Sequence, residues 1–330
     1  MRRRDFIKGI VGTIAACPLA THAQPPGTGR RIGVLMPYAE SHPFGRSLVA
    51  AFRASLGKLG WVEGRNLQID LRWAAGIVER MRTFAKELID LRPDAILAAS
   101  TPVTGALASQ TRTIPIVFAL VSDPIGSGFA ASLSRPGGNV TGFTESQSTL
   151  GGKWVQLLRE LDPRITRVAL LFNPTTAPPL PIYASSVDTA AQPLGVEVRT
   201  APVQAKEEIE GVIGALARDH RGGLVVMPDL FTTINRGLII ALAASYRVPA
   251  IYETRAAAEA GGLISYGSDF AEQFRGAAGY IDRILKQTRP EDLPIQQPEK
   301  FELVINLKTA KALGLTLPQS LLATADDAIE

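Results

Sequence analysis

The sequence repeats an organisation without repeating its residues, and this restricts the fold more than any other feature. From Arg30 onward, short runs rich in Val, Ile and Leu alternate with longer segments of helical periodicity, the pattern of a parallel sheet with crossover helices. The first series predicts strands at Ile32–Met36, Leu67–Trp73, Ala95–Ala99 and Ile116–Leu120, with helices near Phe44–Leu59, Ile77–Arg92 and Val103–Thr111. The second predicts strands at Val168–Phe172, Glu197–Ala201, Leu224–Met227 and Ala250–Tyr252, with helices near Pro181–Leu194, Lys206–Arg218 and Ile234–Tyr246.

The two series keep step. Ile32 lies 28 residues before Gly60, and Val168 lies 27 before Gly195. Ile114-Pro115-Ile116-Val117-Phe118 is answered by Val248-Pro249-Ala250-Ile251-Tyr252, and each is followed by a double glycine (137–138 and 261–262) and a short apolar segment. The expected class is therefore α/β, with two Rossmann-like doubly wound lobes. The two double-glycine segments read as strands that pass from one lobe to the other. A helix at Phe270–Lys286 and a Pro-rich stretch, Pro290–Pro298, lead to a last strand, Phe301–Leu307, read as a third crossing. Three connections make a hinge that bends while keeping the lobes in register. The expected division is a leader at 1–23, one lobe at 24–143 with 268–288, and the other at 144–267 with 289–330. Phe143, Tyr266 and Asp269 fall at the hinge.

The basic balance belongs to the N-terminus. Arg2, Arg3, Arg4 and Lys8 against Asp5 give the first 23 residues +3 of the total of +4. The rest is close to neutral and has no basic stripe to track a row of phosphates, so nucleic-acid partners are not expected. Arg3-Arg4-Asp5-Phe6-Ile7-Lys8, the apolar run Gly9–Ala20 and Thr21-His22-Ala23 have the charged, apolar and small-residue parts of a secretory leader. The adjacent arginines resemble the twin-arginine export motif. Cleavage after Ala23 and a periplasmic product follow. Cys17, the only cysteine, is the alternative lipid-acceptor position, but a better small-residue site follows it. Cleavage at Ala23 leaves no cysteine for disulfide, nucleophilic or metal chemistry.

Ile114-Pro115-Ile116-Val117-Phe118, Ser122-Asp123-Pro124, Arg135 to Gly142, Asn173-Pro174, Pro249 to Tyr252, Gly261-Gly262-Leu263, Ser265-Tyr266-Gly267 and Lys300 to Asn306 stand in an order and spacing that resembles one known family. That family is the ABC-transporter substrate-binding proteins that include tryptophan/tyrosine transport components. The similarity spans essentially the whole chain. It implies the type I periplasmic binding protein fold, ligand capture between lobes, and delivery to a membrane permease with a separate ATPase. A periplasmic sensor docking on a membrane receptor is the alternative that uses the same closed lobes.

In open α/β sheets ligands bind beyond the carboxyl ends of the strands, which selects candidate contacts. Ser100 and Thr101 follow a strand and open a helix, where free N–H groups suit a carboxylate. Asp123, Asn173, Asp229 and Glu253 each offer an acceptor for a ligand ammonium, Asp123 alternatively as a turn residue. Tyr38, Phe231 and Tyr252, with Trp73 as a further candidate, are the aromatics that could stack on a flat ligand, against a plain packing role.

Enzyme readings find little footing. Gly126-Ser127-Gly128-Phe129-Ala130-Ala131 has the form of a dinucleotide fingerprint but follows the fourth strand and lacks the acidic residue about 20 positions on. His42 and His220 fall in different lobes and make no metal site alone. There is no G-x-S-x-G elbow, no Walker A sequence, and no helix-turn-helix before the first lobe. No catalytic residue, metal or cofactor is assigned, and the protein is expected as a monomer that binds a small molecule.

Overall fold

The computed structural model describes residues 29–145, 147–176, 181–218 and 221–330. The leader with Cys17 and Ala23, and His220, lie outside the described residues. Five strands, β1 (Arg30–Met36), β2 (Leu67–Trp73), β3 (Ala95–Ala99), β4 (Ile116–Val121) and β5 (Val140–Thr144), form one parallel sheet in the order β2-β1-β3-β4-β5. The second sheet contains β6 (Arg167–Phe172), β7 (Glu197–Pro202), β8 (Gly222–Val226), β9 (Ala250–Tyr252), β10 (Ile264–Gly267), β11 (Glu302–Asn306) and β12 (Asp327–Ile329), in the order β12-β11-β10-β9-β8-β6-β7. Its part β7-β6-β8-β9-β10 is parallel and repeats the strand order of the first sheet. The repeat read from the sequence is thus a repeat of topology.

Burial follows from that order. The central strands β3, β4 and β8 are buried along their whole length, since helices cover both faces, whereas the edge strands β2 and β7 are largely half-exposed or exposed. The helix Pro43–Lys58 opens with a proline at its start, buries Leu48, Val49, Phe52 and Leu56 on one stripe, and stops before Gly60, whose φ of +90° a side chain would resist. Gly195, at φ +62°, ends the equivalent unit of the second lobe.

The chain passes between the lobes three times. After β5 it enters the helix Leu150–Leu161, whose Trp154, Val155 and Leu158 belong to the second core. After β10 it returns through Ser268 and Asp269 to the helix Phe270–Leu285, whose Phe274, Ala277 and Ile281 belong to the first. The last passage differs from expectation. The strand Phe301–Leu307, which by sequence is the crossing, is β11 inside the second sheet, antiparallel to β10. The crossing is the segment before it: Gln296 N–H donates to the Gly142 carbonyl (2.9 Å) and the Gln296 carbonyl accepts from Thr144 N–H (2.9 Å). Residues 289–295, expected in the second lobe, pack on the first, because Leu293 and Ile295 are buried in its core and the Tyr280 hydroxyl donates to the Pro294 carbonyl (2.6 Å).

The three hinge positions sit at these passages. Phe143 bridges to Gln296, and its ring lies 4.7 Å from that of Tyr280, over Gly276, where a Cβ would come within 2.5 Å of it. Asp269 caps the helix Phe270–Leu285 by accepting from Ala271 N–H (2.8 Å) and pairs with Arg275 (2.7 Å). The Tyr266 carbonyl accepts from the indole N–H of Trp154 (2.8 Å), which is buried. Trp154→Phe keeps an aromatic side chain but removes the donor and part of the buried ring volume, so the urea midpoint is expected to fall by the equivalent of about 2–4 kcal/mol; an unchanged midpoint would mean that water fills the site and satisfies the carbonyl.

The helical periodicity leaves several helices unread, two of which bear on the lobes' packing. The helix Leu150–Leu161, for which the sequence predicts no element, carries Gly151 and Gly152 in its first turn, and packing requires the second: a Cβ on Gly152 would sit 2.5 Å from the Ser186 carbonyl oxygen of the helix Pro181–Leu194. The helix expected over Ile234–Tyr246 is two, Leu230–Ile234 and Arg236–Ser245, broken at Asn235.

Candidate functional site

The strand tips of the two sheets face one another across a cleft. After β1 comes Tyr38; after β3, Ser100, Thr101 and Pro102; at the end of β4, Leu120; after β5, Glu145. The second lobe supplies Thr176 beyond β6, Pro228, Asp229, Leu230 and Thr233 beyond β8, and Glu253 directly after β9, while Phe270 closes one side. Together they bound about 400 Å³ not filled by protein atoms, part of it open to solvent. The lobes touch here, for Leu230 of the second lobe packs into the core of the first.

The first-lobe wall presents hydroxyls and backbone. Ser100 N–H donates to the Ala119 carbonyl (2.9 Å), and the Ser100 carbonyl accepts from Thr104 N–H (3.0 Å) and Thr104 Oγ1 (2.8 Å). Its φ of 85° and ψ of 157° fall in a region that costs a side-chain-bearing residue about 1–3 kcal/mol. Ser100 Oγ is buried without a hydrogen-bond partner in the protein. Leu120, at φ 58°, is the neighbouring case on β4, its N–H held by Gln273 Oε1 (3.0 Å). Two strained non-glycine residues stand at adjacent strand tips beside the start of the helix Thr101–Ala108, where Thr101 and Val103 keep N–H groups without a partner in the helix and Pro102 has none.

The carboxyls come from both lobes, Glu145 from the end of β5 in the first sheet and Asp229 and Glu253 from the second. Glu145, Asp229 and Glu253 are all buried, and the lining has no Lys, Arg or His among the described residues. Burial pushes the Glu145 carboxyl up from its usual 4.5 to about 7, against a hydrogen bond from the Ser122 hydroxyl that favours the anion. The Glu253 carboxyl is driven well above its usual value by burial and then by the charge of Glu145. Its Oε1 has no partner. Asp229 is also raised by burial, but it is held by Asn173 N–H (2.7 Å), the Thr176 hydroxyl (2.5 Å) and Phe231 N–H (3.0 Å). Between the walls Tyr38, Leu120, Leu230 and Phe270 supply apolar surface; the Tyr38 ring stacks on His42 (5.0 Å), and burial raises its hydroxyl pKa.

Of the residues singled out in the sequence, Tyr38, Ser100, Thr101, Asp229 and Glu253 line this cleft. The others do not. Asp123 accepts from Gly126 N–H (2.7 Å) in a half-exposed turn. Asn173 spends its side chain on Thr175 N–H (2.8 Å) and the Gln204 carbonyl (3.2 Å), and reaches the cleft only by orienting Asp229. Tyr252 is buried in the second lobe beside Gly262, since the residue before Glu253 along an extended chain faces the other side. Phe231 packs on that same core. Trp73 lies at the edge of the first core and lines a surface groove with Arg46 and Arg53. Glu145, Thr176 and Phe270 line the cleft as well, and with Leu120, Pro228, Leu230 and Thr233 they are not among the residues the sequence points to. Glu145 and Thr176 obey the strand-tip rule, Glu145 directly after β5; the double-glycine segment was read only as a connection. Among the described residues no group of three or more His, Cys, Asp or Glu is placed to hold a metal ion, and no helix is long and apolar enough to cross a membrane.

Two α/β lobes of one strand order, joined by three passages and facing each other across their strand tips, define the type I periplasmic binding protein class. Within it the chain belongs to the ABC transporter substrate-binding protein family, which it matches over residues 32–329. It is 26% identical over 274 residues to the tyrosine-binding protein of Clostridioides difficile (strain R20291), covering 83% of this chain and 78% of that one. Among solved structures it resembles a conserved domain protein from Vibrio cholerae (26% identity, TM-score 0.82, 91% of this chain and 100% of that one). It resembles equally an ABC domain from Streptococcus pneumoniae in complex with L-Trp (25% identity, TM-score 0.82, 92% of this chain and 100% of that one).

Proposed function

We propose that this protein is the extracytoplasmic solute-binding component of an ABC importer, and that its cargo is an aromatic amino acid or a close relative bearing both an amine and a carboxylate. The observation that carries this reading is the polarity of the cleft. The first lobe offers a hydroxyl and helix N–H groups suited to a carboxylate, Asp229 and Glu253 of the second lobe offer carboxyls suited to an ammonium with Glu145 beside them at the end of β5, and apolar side chains lie between. Closing the lobes on a zwitterion satisfies both ends and removes water, which strengthens each contact. The relatives that bind tyrosine and L-Trp favour the same cargo.

The leader fits export to the periplasm by the twin-arginine route with cleavage after Ala23, in preference to a lipid anchor at Cys17. The protein then acts as a monomer that hands its cargo to a membrane permease driven by a separate ATPase.

Calorimetry on the purified protein tests the ligand. L-Tryptophan, L-tyrosine and L-phenylalanine are expected to release heat with one site each. Indole-3-propionate, which keeps ring and carboxylate but has no amine, is expected to bind at least tenfold more weakly, since a charge-assisted bond contributes about 1.5–3 kcal/mol. Silence from every amino acid would remove this cargo.

A further inference from the structure

Three acidic side chains around one small cavity, with no cation in its lining, cannot all stay ionised at little cost. Two of them have partners. Glu145 accepts from the Ser122 hydroxyl, and Asp229 accepts from Asn173, Thr176 and Phe231. Glu253 differs: it is 94% buried, it lines the cavity, and its Oε1 has no donor. The titratable groups that share the cavity with it are Tyr38 beyond β1, Glu145 beyond β5 and Asp229 beyond β8; its other neighbours there include Leu120, Leu230 and Phe270. Arg236 is a cation of the same lobe, but it lies outside the lining, over the Phe44 ring (5.7 Å).

A carboxyl in such a place stays neutral until a positive charge arrives. We infer that solute capture by this protein expels a proton: Glu253 holds its carboxyl protonated while it is buried in the solute-free cleft and loses that proton to water when the ammonium of the solute docks against it. The amine keeps its own proton, the carboxyl becomes a carboxylate, and one H⁺ goes to bulk solvent. This rests on the cargo proposed above only in requiring an amine. Its consequence is a chemical filter, because a solute without a cation gives Glu253 no reason to ionise and a second carboxylate on the solute would face acidic side chains. Capture also tightens with rising pH, by up to tenfold per pH unit, until Glu253 ionises unaided.

Two measurements test this. L-Tryptophan and L-tyrosine are titrated at pH 7 in phosphate and in Tris, whose protonation heats differ widely. The difference in observed heat is expected to correspond to about one proton released per site, and Glu253→Gln to abolish it while weakening binding roughly 10–100-fold. Equal heats in the two buffers would overturn the inference. Independently of any amino acid, the infrared spectrum of the wild type minus that of Glu253→Gln is expected to contain a protonated-carboxyl C=O band at neutral pH. A missing band overturns the inference whatever the cargo. If neither amino acid gives heat but tyramine, an amine without a carboxylate, removes the band, the cargo fails and the proton release stands. If no amine removes it, the inference fails.

Discussion

Asp229→Ala is expected to lower the stability of the protein by about 3 kcal/mol and to reduce amino-acid binding more than a hundredfold. Asp229 is where the second lobe's share of the cleft is tied together. Its carboxylate accepts from the buried Asn173 N–H (2.7 Å), from the Thr176 hydroxyl (2.5 Å) and, as the cap of the helix Leu230–Ile234, from Phe231 N–H (3.0 Å). Alanine leaves two backbone donors unanswered in a largely buried place, Asn173 N–H and the Phe231 N–H that the cap holds, at a cost of about 1–3 kcal/mol each. The loss reaches function because Leu230, the first residue of that helix, packs into the core of the opposite lobe. Once the cap goes, the lip of the cleft is no longer held against its partner. Asp229→Asn, which keeps one acceptor, is expected to fall between alanine and wild type. Urea unfolding and calorimetry with L-tryptophan read the two effects separately. An alanine variant as stable as the wild type would show that these donors find water, and that the lip is set by packing alone.

The same residue marks how far the sequence could be read. Parallel strands carry a strong signal, since burial on both faces forces uninterrupted Val, Ile and Leu runs, and so the repeat, the parallel part of both sheets and the strand-tip loops are legible, whereas β11, which reads as a crossing, and β12 are not. The rule that ligands sit beyond strand ends then found Ser100, Thr101, Asp229 and Glu253. It did not say which side of the strand each side chain takes. Tyr252 and Glu253 are neighbours and only one of them reaches the cleft, because alternation along an extended chain sends them apart. Asp123 and Asn173 follow strands too, but satisfy backbone N–H groups of their own turns. Local capping and ligand binding ask for the same residue types, so composition does not separate them. Glu145 was hidden for another reason. Its strand was read as a passage between lobes, and only the pairing of β5 with β4 and with Gln296 reveals that the passage ends in the cleft. The strain at Ser100 has no sequence signal at all, since serine before a helix is common in any protein.

Glu145→Gln is expected to reverse the order of stability of variant and wild type between pH 5 and pH 7.5. Burial raises the Glu145 carboxyl from 4.5 to about 7 in the folded protein. The folded state therefore binds the proton more tightly than the unfolded chain does. Stability from this group is fully present below pH 4.5, and it is lost as the pH rises through about 7, because the unfolded chain gives up a proton that the fold retains. A shift of that size corresponds to at most about 3 kcal/mol. Glutamine is neutral at every pH, so the variant lacks this decline. Asp70, Asp162 and Glu272 slope the other way, held below their usual values by hydrogen bonds from Arg31, Arg164 and Arg275. Both proteins contain those pairs, so they cancel in the difference. Glu145 also accepts from Ser122, and its carbonyl accepts from Ser268 Oγ (2.7 Å), at the first and second passages between the lobes. Ionising it without a cation thus loads the hinge and the cleft together. Urea unfolding of both proteins in the absence of amino acids is expected to find the wild type favoured at pH 5 and Glu145→Gln favoured at pH 7.5, with the difference moving by roughly 2–3 kcal/mol. A difference that stays constant across that range would mean that Glu145 is solvated and ionised throughout, and that the cleft carries its charge without an ammonium to offset it.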